Sequence, residues 1–181
     1  MPTLSILSCT DRPDANAHRI AESLEPLYRD FGADVHRHSL CEFPHADVVG
    51  GTYGSTLPSV EAYNREVMDA DSYLWIVPEY NGGFPGILKL FFDYLPFPEA
   101  LNRKPIALIG EADGRFGAMR PVEQLQDLLI YRKAMIYPER VFLPSIGDRL
   151  DQEEAWIDDA SKARLQHQAE GFTDWVERLV S

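Results

Sequence analysis

Residues 72–77 read SYLWIV, and residues 78–95 continue PEYNGGFPGILKLFFDYL. The first run is continuously apolar, as a strand covered on both faces of a parallel sheet must be. Pro78 offers no N–H to a sheet ladder and closes the strand. Past Pro85, the residues Ile87, Leu88, Phe91, Phe92 and Leu95 recur at helical spacing, so an almost wholly apolar helix begins there. The connection between them is longer and more specified than a plain strand-to-helix link. Gly82 and Gly83 leave the main chain bare, and Tyr80 adds a face on which a ring can stack. Either a flat ligand lies against this backbone, or a tight turn happens to be rich in glycine.

Working outward, β-type runs recur at 4–8 (LSILS), 33–40 (ADVHRHSL), 106–110 (IALIG) and 140–144 (RVFLP), with helical patterns between them. Ala17, Ile20, Ala21, Leu24, Leu27, Tyr28 and Phe31 mark one helix face, and Pro26 is expected to kink that helix or end its regular part early. Val60, Tyr63 and Val67 mark a second helix. Val122, Leu125, Leu128 and Leu129 mark another, with Pro121 in its first turn. A last helix is expected to open at Asp151, with Glu154 at the capping-box position. It should carry Trp156, Ile157, Phe172, Trp175, Val176 and Leu179, with Gly171 as a break.

Strands alternating with helices imply a parallel sheet covered on both sides. Residues 33–40 alternate in polarity and suit an edge. The expected architecture is α/β: a flavodoxin-like three-layer sandwich on a five-stranded parallel sheet of order 2-1-3-4-5, with 1–181 as a single domain. Such sheets bind ligands beyond the carboxyl ends of their strands.

The 181 residues carry a net charge of −12 with scattered lysines and arginines. That balance argues against nucleic acid as a partner, since such binding needs a basic patch. No apolar run approaches the roughly 18 residues that cross a bilayer, so no membrane partner is expected. The opening MPTLSILSCTDRP lacks a basic n-region and a cleavage site, so secretion is not expected. Cys9 and Cys41 show no metal spacing and read as small buried thiols in a reducing cytoplasm. His36 and His38 share one side of a strand, where an exposed edge explains them better than a metal.

Three loops meet the carboxyl edge. SCTDRPDAN (8–16) leads into a helix start, where free N–H groups and the helix dipole favour an anion. Ser8 and Thr10 bring hydroxyls, Asn16 an amide and Arg12 a forked cation suited to phosphate. Asp14 or Asn16 can equally serve as a plain helix cap. There is no GxGxxG and no GxxxxGK[ST], which disfavours a Rossmann dinucleotide site and a P-loop. The second loop is the opening stretch. The third is GEADGRFGAMRP (110–121), where Gly110, Gly114 and Gly117 again keep the backbone bare. Together the loops suit a ligand with a phosphate tail and a planar head.

At this point a resemblance appears. Residues 78–95 are similar to the PEYNGSxPGxLKNxxD motif of the NADPH-dependent FMN reductase family, which includes quinone, azo-dye and chromate reductases. TDRPDAN (10–16) resembles that family's TNRPNSN phosphate loop, and DGRFGAMR (113–120) its GGRFGGxR stretch. The likeness spans about residues 4 to 145. It implies that Ser8, Thr10, Arg12, Ala15 (through its N–H) and Asn16 hold the FMN phosphate. It further implies that Pro78, Glu79, Tyr80, Asn81 and Gly82 lie along the isoalloxazine, with Gly110, Asp113, Gly114 and Arg115 on its far side. Four positions depart from the pattern: Ala15 and Gly83 replace serines, Leu90 replaces asparagine, and Asp11 replaces a neutral residue. The first and last of these substitutions bear on FMN affinity.

The implied reaction is ping-pong. NADPH or NADH gives hydride to the flavin, and a small-molecule acceptor such as a quinone, free flavin or azo compound then takes the electrons. The flavin carries the chemistry, so no catalytic side chain is required. Arg115 or Arg120 is available for a 2′-phosphate. The alternative is an FMN-binding electron carrier or redox-responsive module without NAD(P)H turnover; an apo scaffold that has lost its ligand is a third reading. In the resembled family the apolar helix after residue 85 helps to form a dimer. A homodimer or homotetramer is expected here on the ground that Phe91 or Phe92 would otherwise be exposed.

Overall fold

A computed structural model describes residues 1–150 and 158–180 of the chain. The elements in order are β1 (Thr3–Ser8), α1 (Asn16–Asp30), β2 (Asp34–Ser39), α2 (His45–Val48), α3 (Pro58–Met68), β3 (Ser72–Pro78), α4 (Gly86–Asp93), β4 (Pro105–Ala112), α5 (Met119–Tyr131), β5 (Met135–Ile136), β6 (Val141–Pro144) and α6 (Asp159–Val180). All strand pairs are parallel, in the order β2-β1-β3-β4-β5, with β6 also on β4. This is the flavodoxin-like order.

Every residue of β3 and β4 is buried, as the unbroken apolar runs require. Alternation along these strands feeds two cores. Tyr73, Trp75, Ile106 and Leu108 pack beneath α3, α4 and α5, while Leu74, Ile76, Ala107 and Ile109 pack beneath α1 and α6. Burying one such aliphatic side chain contributes about 1.5–3 kcal/mol before chain entropy is counted. β2 lies at the edge, with Val35 buried and His36 and Arg37 exposed.

Four expectations need correction. First, the fifth strand is split, so the sheet has six. β4 advances from Ile106 to Ile109 while its neighbour advances from Ile136 to Val141. The extra residues, which include the donor-less Pro138, loop out of the ladder. Second, α1 does not end early at Pro26 but runs through it to Asp30. Pro26 is exposed, so the carbonyl it leaves unpaired can face water. Third, α6 runs through Gly171. A Cβ there would strike the phenol oxygen of Tyr137, whose ring packs 5.4 Å from Phe172 and 5.5 Å from Trp175. That glycine serves a close approach instead of a break. Fourth, Cys41 is exposed, unlike buried Cys9, and neither is in a disulfide. The expected cap at Asp151 and Glu154, with Trp156 and Ile157, lies outside the described residues.

Candidate functional site

The carboxyl ends of β1, β3 and β4 lie side by side, and the loops leaving them are bonded to one another. Thr10, fully buried, places its hydroxyl 2.7 Å from the Tyr80 hydroxyl and accepts the Arg12 N–H at 3.2 Å. The Glu79 N–H donates to the Glu111 carbonyl at 3.1 Å. The Glu79 carboxylate lies 3.7 Å from Arg120. Loops one and two, and loops two and three, are therefore tied together directly.

Loop one delivers the chain to α1 without a side-chain cap. Ala15 is the N-cap residue, extended at φ −75° and ψ 143°, and no side chain bonds the helix start. The first turn carries no acid either, so its N–H groups and dipole are left for an anion. Neither Asp14 nor Asn16 caps it. The buried Ser8 hydroxyl donates to the Ala17 carbonyl at 3.2 Å, which ties the end of β1 to the first turn of α1. Arg12 is exposed beside the helix start.

Loop two is a tight turn. Asn81 and Gly82 both have positive φ, 53° and 81°, and Tyr80 and Gly83 exchange both backbone hydrogen bonds at 2.9 and 3.1 Å. Two successive residues in the left-handed region make the turn that Asn-Gly favours. A Cβ on Gly82 would meet nothing within 4 Å. The tight-turn reading of this stretch therefore holds, and Gly82 leaves the main chain bare.

In loop three the glycines divide. Gly110 is buried, and a Cβ there would lie 2.6 Å from the Gly117 carbonyl oxygen; Gly117 in turn sits at φ +55° with its would-be Cβ 2.7 Å from the Leu143 nitrogen. These two let the loop pack on β6. Gly110 is therefore bare because its own chain comes close. Gly114 is exposed with open space beyond it. The Asp113 carboxylate accepts the Gly147 N–H at 3.2 Å. Arg115 and Arg120 each stack on the Phe116 ring, 4.7 Å from its centroid.

Sequence reasoning passed over Glu111. It is 5% exposed at the end of β4. Burial, then the nearby Asp113 carboxylate, push its pKa up to about 7, against the lowering pull of Arg12. The available signal was its place as the one charge within the strand PIALIGEA.

These features fit a flavin mononucleotide. An uncapped helix start suits its phosphate, and Gly82 and Gly114 leave room where side chains would stand. Residues 2–148 match the model of the NADPH-dependent FMN reductase family. The chain belongs to that family. It is 31% identical over 126 residues to an NAD(P)H-dependent FMN reductase of Pseudomonas aeruginosa, over 67% of this chain and 68% of that one. It is 26% identical over 177 residues to a 2-hydroxy-1,4-benzoquinone reductase of a Burkholderia species, over 88% and 97% of the two chains. FerB, a flavoenzyme NAD(P)H:(acceptor) oxidoreductase from Paracoccus denitrificans, shares the fold with a TM-score of 0.78 at 23% identity, over 98% of both chains. The three loops at this edge are thus bonded directly to one another.

Proposed function

We propose that this chain is an FMN-dependent oxidoreductase that takes electrons from NADPH or NADH and passes them to a small acceptor, with quinones and azo compounds as the leading classes. The observation that carries this is the uncapped start of α1 joined, through the Thr10–Tyr80 hydrogen bond, to the bare turn at Gly82. FMN, when bound, supplies the redox chemistry, accepting hydride and releasing electrons to the acceptor. The chain's part is to bind and orient. The N–H groups of Ala15 and Asn16, with Arg12, would hold the phosphate. Tyr80, Asn81 and Gly82 would border the ring on one side, with Gly114 and Arg115 on the other. Thr10 fixes Tyr80, and Arg120 fixes Glu79. Ser8 and Gly110 support this rim from inside.

The same reading takes 1–181 as one domain and the cytoplasm as its place, in keeping with the free thiols of Cys9 and Cys41. No helix among the described residues is long and apolar enough to cross a membrane. For assembly, the expected ground fails: Phe91 and Phe92 are 0% and 5% exposed within one chain, because both turn into the core under α3. A homodimer or homotetramer rests instead on the exposed aromatic side chains Tyr53, Phe97 and Tyr131, of which the last two stack on each other. Analytical ultracentrifugation at micromolar concentration is expected to show more than one chain per particle; a monomer there removes this part.

The enzyme reading is tested by stopped-flow mixing of the purified holoprotein with NADPH and NADH. The protein should be yellow, release FMN on heating, and lose its flavin absorbance within seconds of mixing. A yellow protein that does not bleach is a carrier. A colourless protein that takes up no FMN defeats the whole proposal.

A further inference from the structure

Glu111 stands where an acid is least expected. Along β4, Ala107 and Ile109 point into the core beneath α1 and α6, and Glu111, two residues further on, follows them to that face at the carboxyl edge. Its neighbours in the sheet are Pro78 of β3 and Leu143 of β6, and neither offers a proton or a charge. Among the described residues no group donates a hydrogen bond to its carboxyl. The charges that reach it are the Asp113 carboxylate and the Arg12 guanidinium. Glu79, just past β3, is already paired with Arg120. Glu111 is thus an acid only 5% exposed at the carboxyl edge, level with Pro78 at the end of β3 and on the face that α1 covers, where the charge of Arg12, the cation assigned to the cofactor phosphate, reaches it.

We propose that Glu111 belongs to the flavin site and takes up a proton when an anionic flavin binds, so that its neutral carboxyl is the form that coexists with the phosphate. This rests on the FMN reading above. Among the described residues, Arg12 is the one charge that favours Glu111 ionised. A phosphate dianion on Arg12 and α1 would cancel that field and add like charge, in a chain that already carries −12. Both effects favour the protonated acid. With its pKa pushed up to about 7 before binding, Glu111 is largely ionised at pH 8 and must gain a proton as FMN enters. The bound state then holds more protons than the free state, so affinity falls as pH rises. One linked proton gives up to about a tenfold rise in Kd per pH unit above the free-state value.

The test is FMN binding to the flavin-stripped full chain between pH 7 and 9, above the range in which the FMN phosphate itself titrates (second pKa about 6). Fluorescence titration should show Kd rising several-fold per pH unit in the wild type and staying nearly flat in Glu111→Gln, which should also bind FMN more tightly at pH 9. Calorimetry of the wild type at pH 8, in two buffers of different ionisation enthalpy, should show proton uptake close to one per flavin; this second measurement stands even if the variant fails to fold. A flat wild-type profile, absence of proton uptake, or the same slope in Glu111→Gln overturns the inference while leaving FMN binding intact. Failure to bind FMN at any pH would instead overturn the reading beneath it.

Discussion

The two ends of the parallel sheet differ in what they are made of. At the carboxyl ends of β1, β3 and β4, the surface is main chain: an uncapped helix start, a tight turn and an open glycine. At the amino ends of β3 and β4, a cavity of about 1190 Å³ is walled by side chains, among them Tyr53, Asn64, Tyr73, Tyr94 and Arg132. Size alone would send a ligand to the second place. Dipoles send an anion to the first, because α1 begins at the carboxyl edge while α3 and α4 end at the amino edge. The amino end has accordingly acquired a cation: Arg132, 5% exposed, donates to the carbonyls of Phe92 in the last turn of α4 and of Leu95 and Pro96 just past it, and stacks on Phe92 and Phe97. Where helices begin, donors are left for a ligand. Where they end, the protein satisfies its own acceptors.

The largest expected effect comes from giving the rim a side chain where its own backbone needs the space. Gly117→Ala adds a Cβ 2.7 Å from the Leu143 nitrogen at a positive φ. Strain and overpacking together should cost about 2–5 kcal/mol, read as a large drop in urea midpoint together with loss of FMN binding. If the variant keeps wild-type stability, the close packing of loop three on β6 is not what holds the rim.

Arg132→Met is the counterpart at the other end. It keeps apolar bulk and leaves three carbonyls without their donor, for an expected loss of about 2–3 kcal/mol. FMN affinity should stay within a factor of two or so, since the proposed site lies at the opposite edge. A tenfold loss of affinity would show the two ends to be coupled and end the comparison as drawn.

A smaller effect isolates the rim's internal bond. Thr10→Val preserves shape but removes both the contact with Tyr80 and the acceptor for the Arg12 N–H. The expected result is about a tenfold rise in FMN Kd, roughly the worth of one or two hydrogen bonds, with little change in unfolding. Unchanged FMN affinity would mean that Tyr80 is held in place without Thr10.

Much of this was legible beforehand, and what was not has a common cause. Residues 72–95 disclose the buried strand, its proline stop and the helix after it, because each is a local matter of hydrogen-bond donors and periodicity. The order of the sheet follows from alternation of strands and helices. Glycines are different: a sequence says that Gly82, Gly110 and Gly171 lack side chains, but not what stands opposite. Open space faces the first, the chain's own backbone the second, and Tyr137 the third. The same blindness to partners hid the Ser8 bond to Ala17, the burial of Phe91 and Phe92, and the exposed position of Cys41. Glu111 was passed over because motif reasoning looks for charges in loops, and this one ends a strand.

The smallest expected effect lies at the amino end and depends on pH. Asp71, just before β3, accepts both the N–H and the hydroxyl of Thr3 at 2.8 Å, fixing β1 to β3 where the strands begin. The Thr3 N–H, ahead of the opposing effect of burial and helped by the Thr3 hydroxyl, holds its pKa below the usual carboxylate range. A depressed folded-state pKa means stability that is complete above the unfolded value near 4 and lost as pH falls through the folded one. Asp71→Asn should therefore cost about 1 kcal/mol at pH 7, and the gap from the wild type should close as unfolding is repeated toward pH 3. Glu111, with its pKa pushed up to about 7 at the carboxyl end, predicts the opposite sign: the wild type loses stability as pH rises from the unfolded value near 4.5 through 7, and Glu111→Gln should gain on it over that window. A gap for Asp71→Asn that stays constant down to pH 3 would mean that its carboxylate charge contributes nothing. The opposite pH signatures assigned to the two ends would then lose one of their two supports.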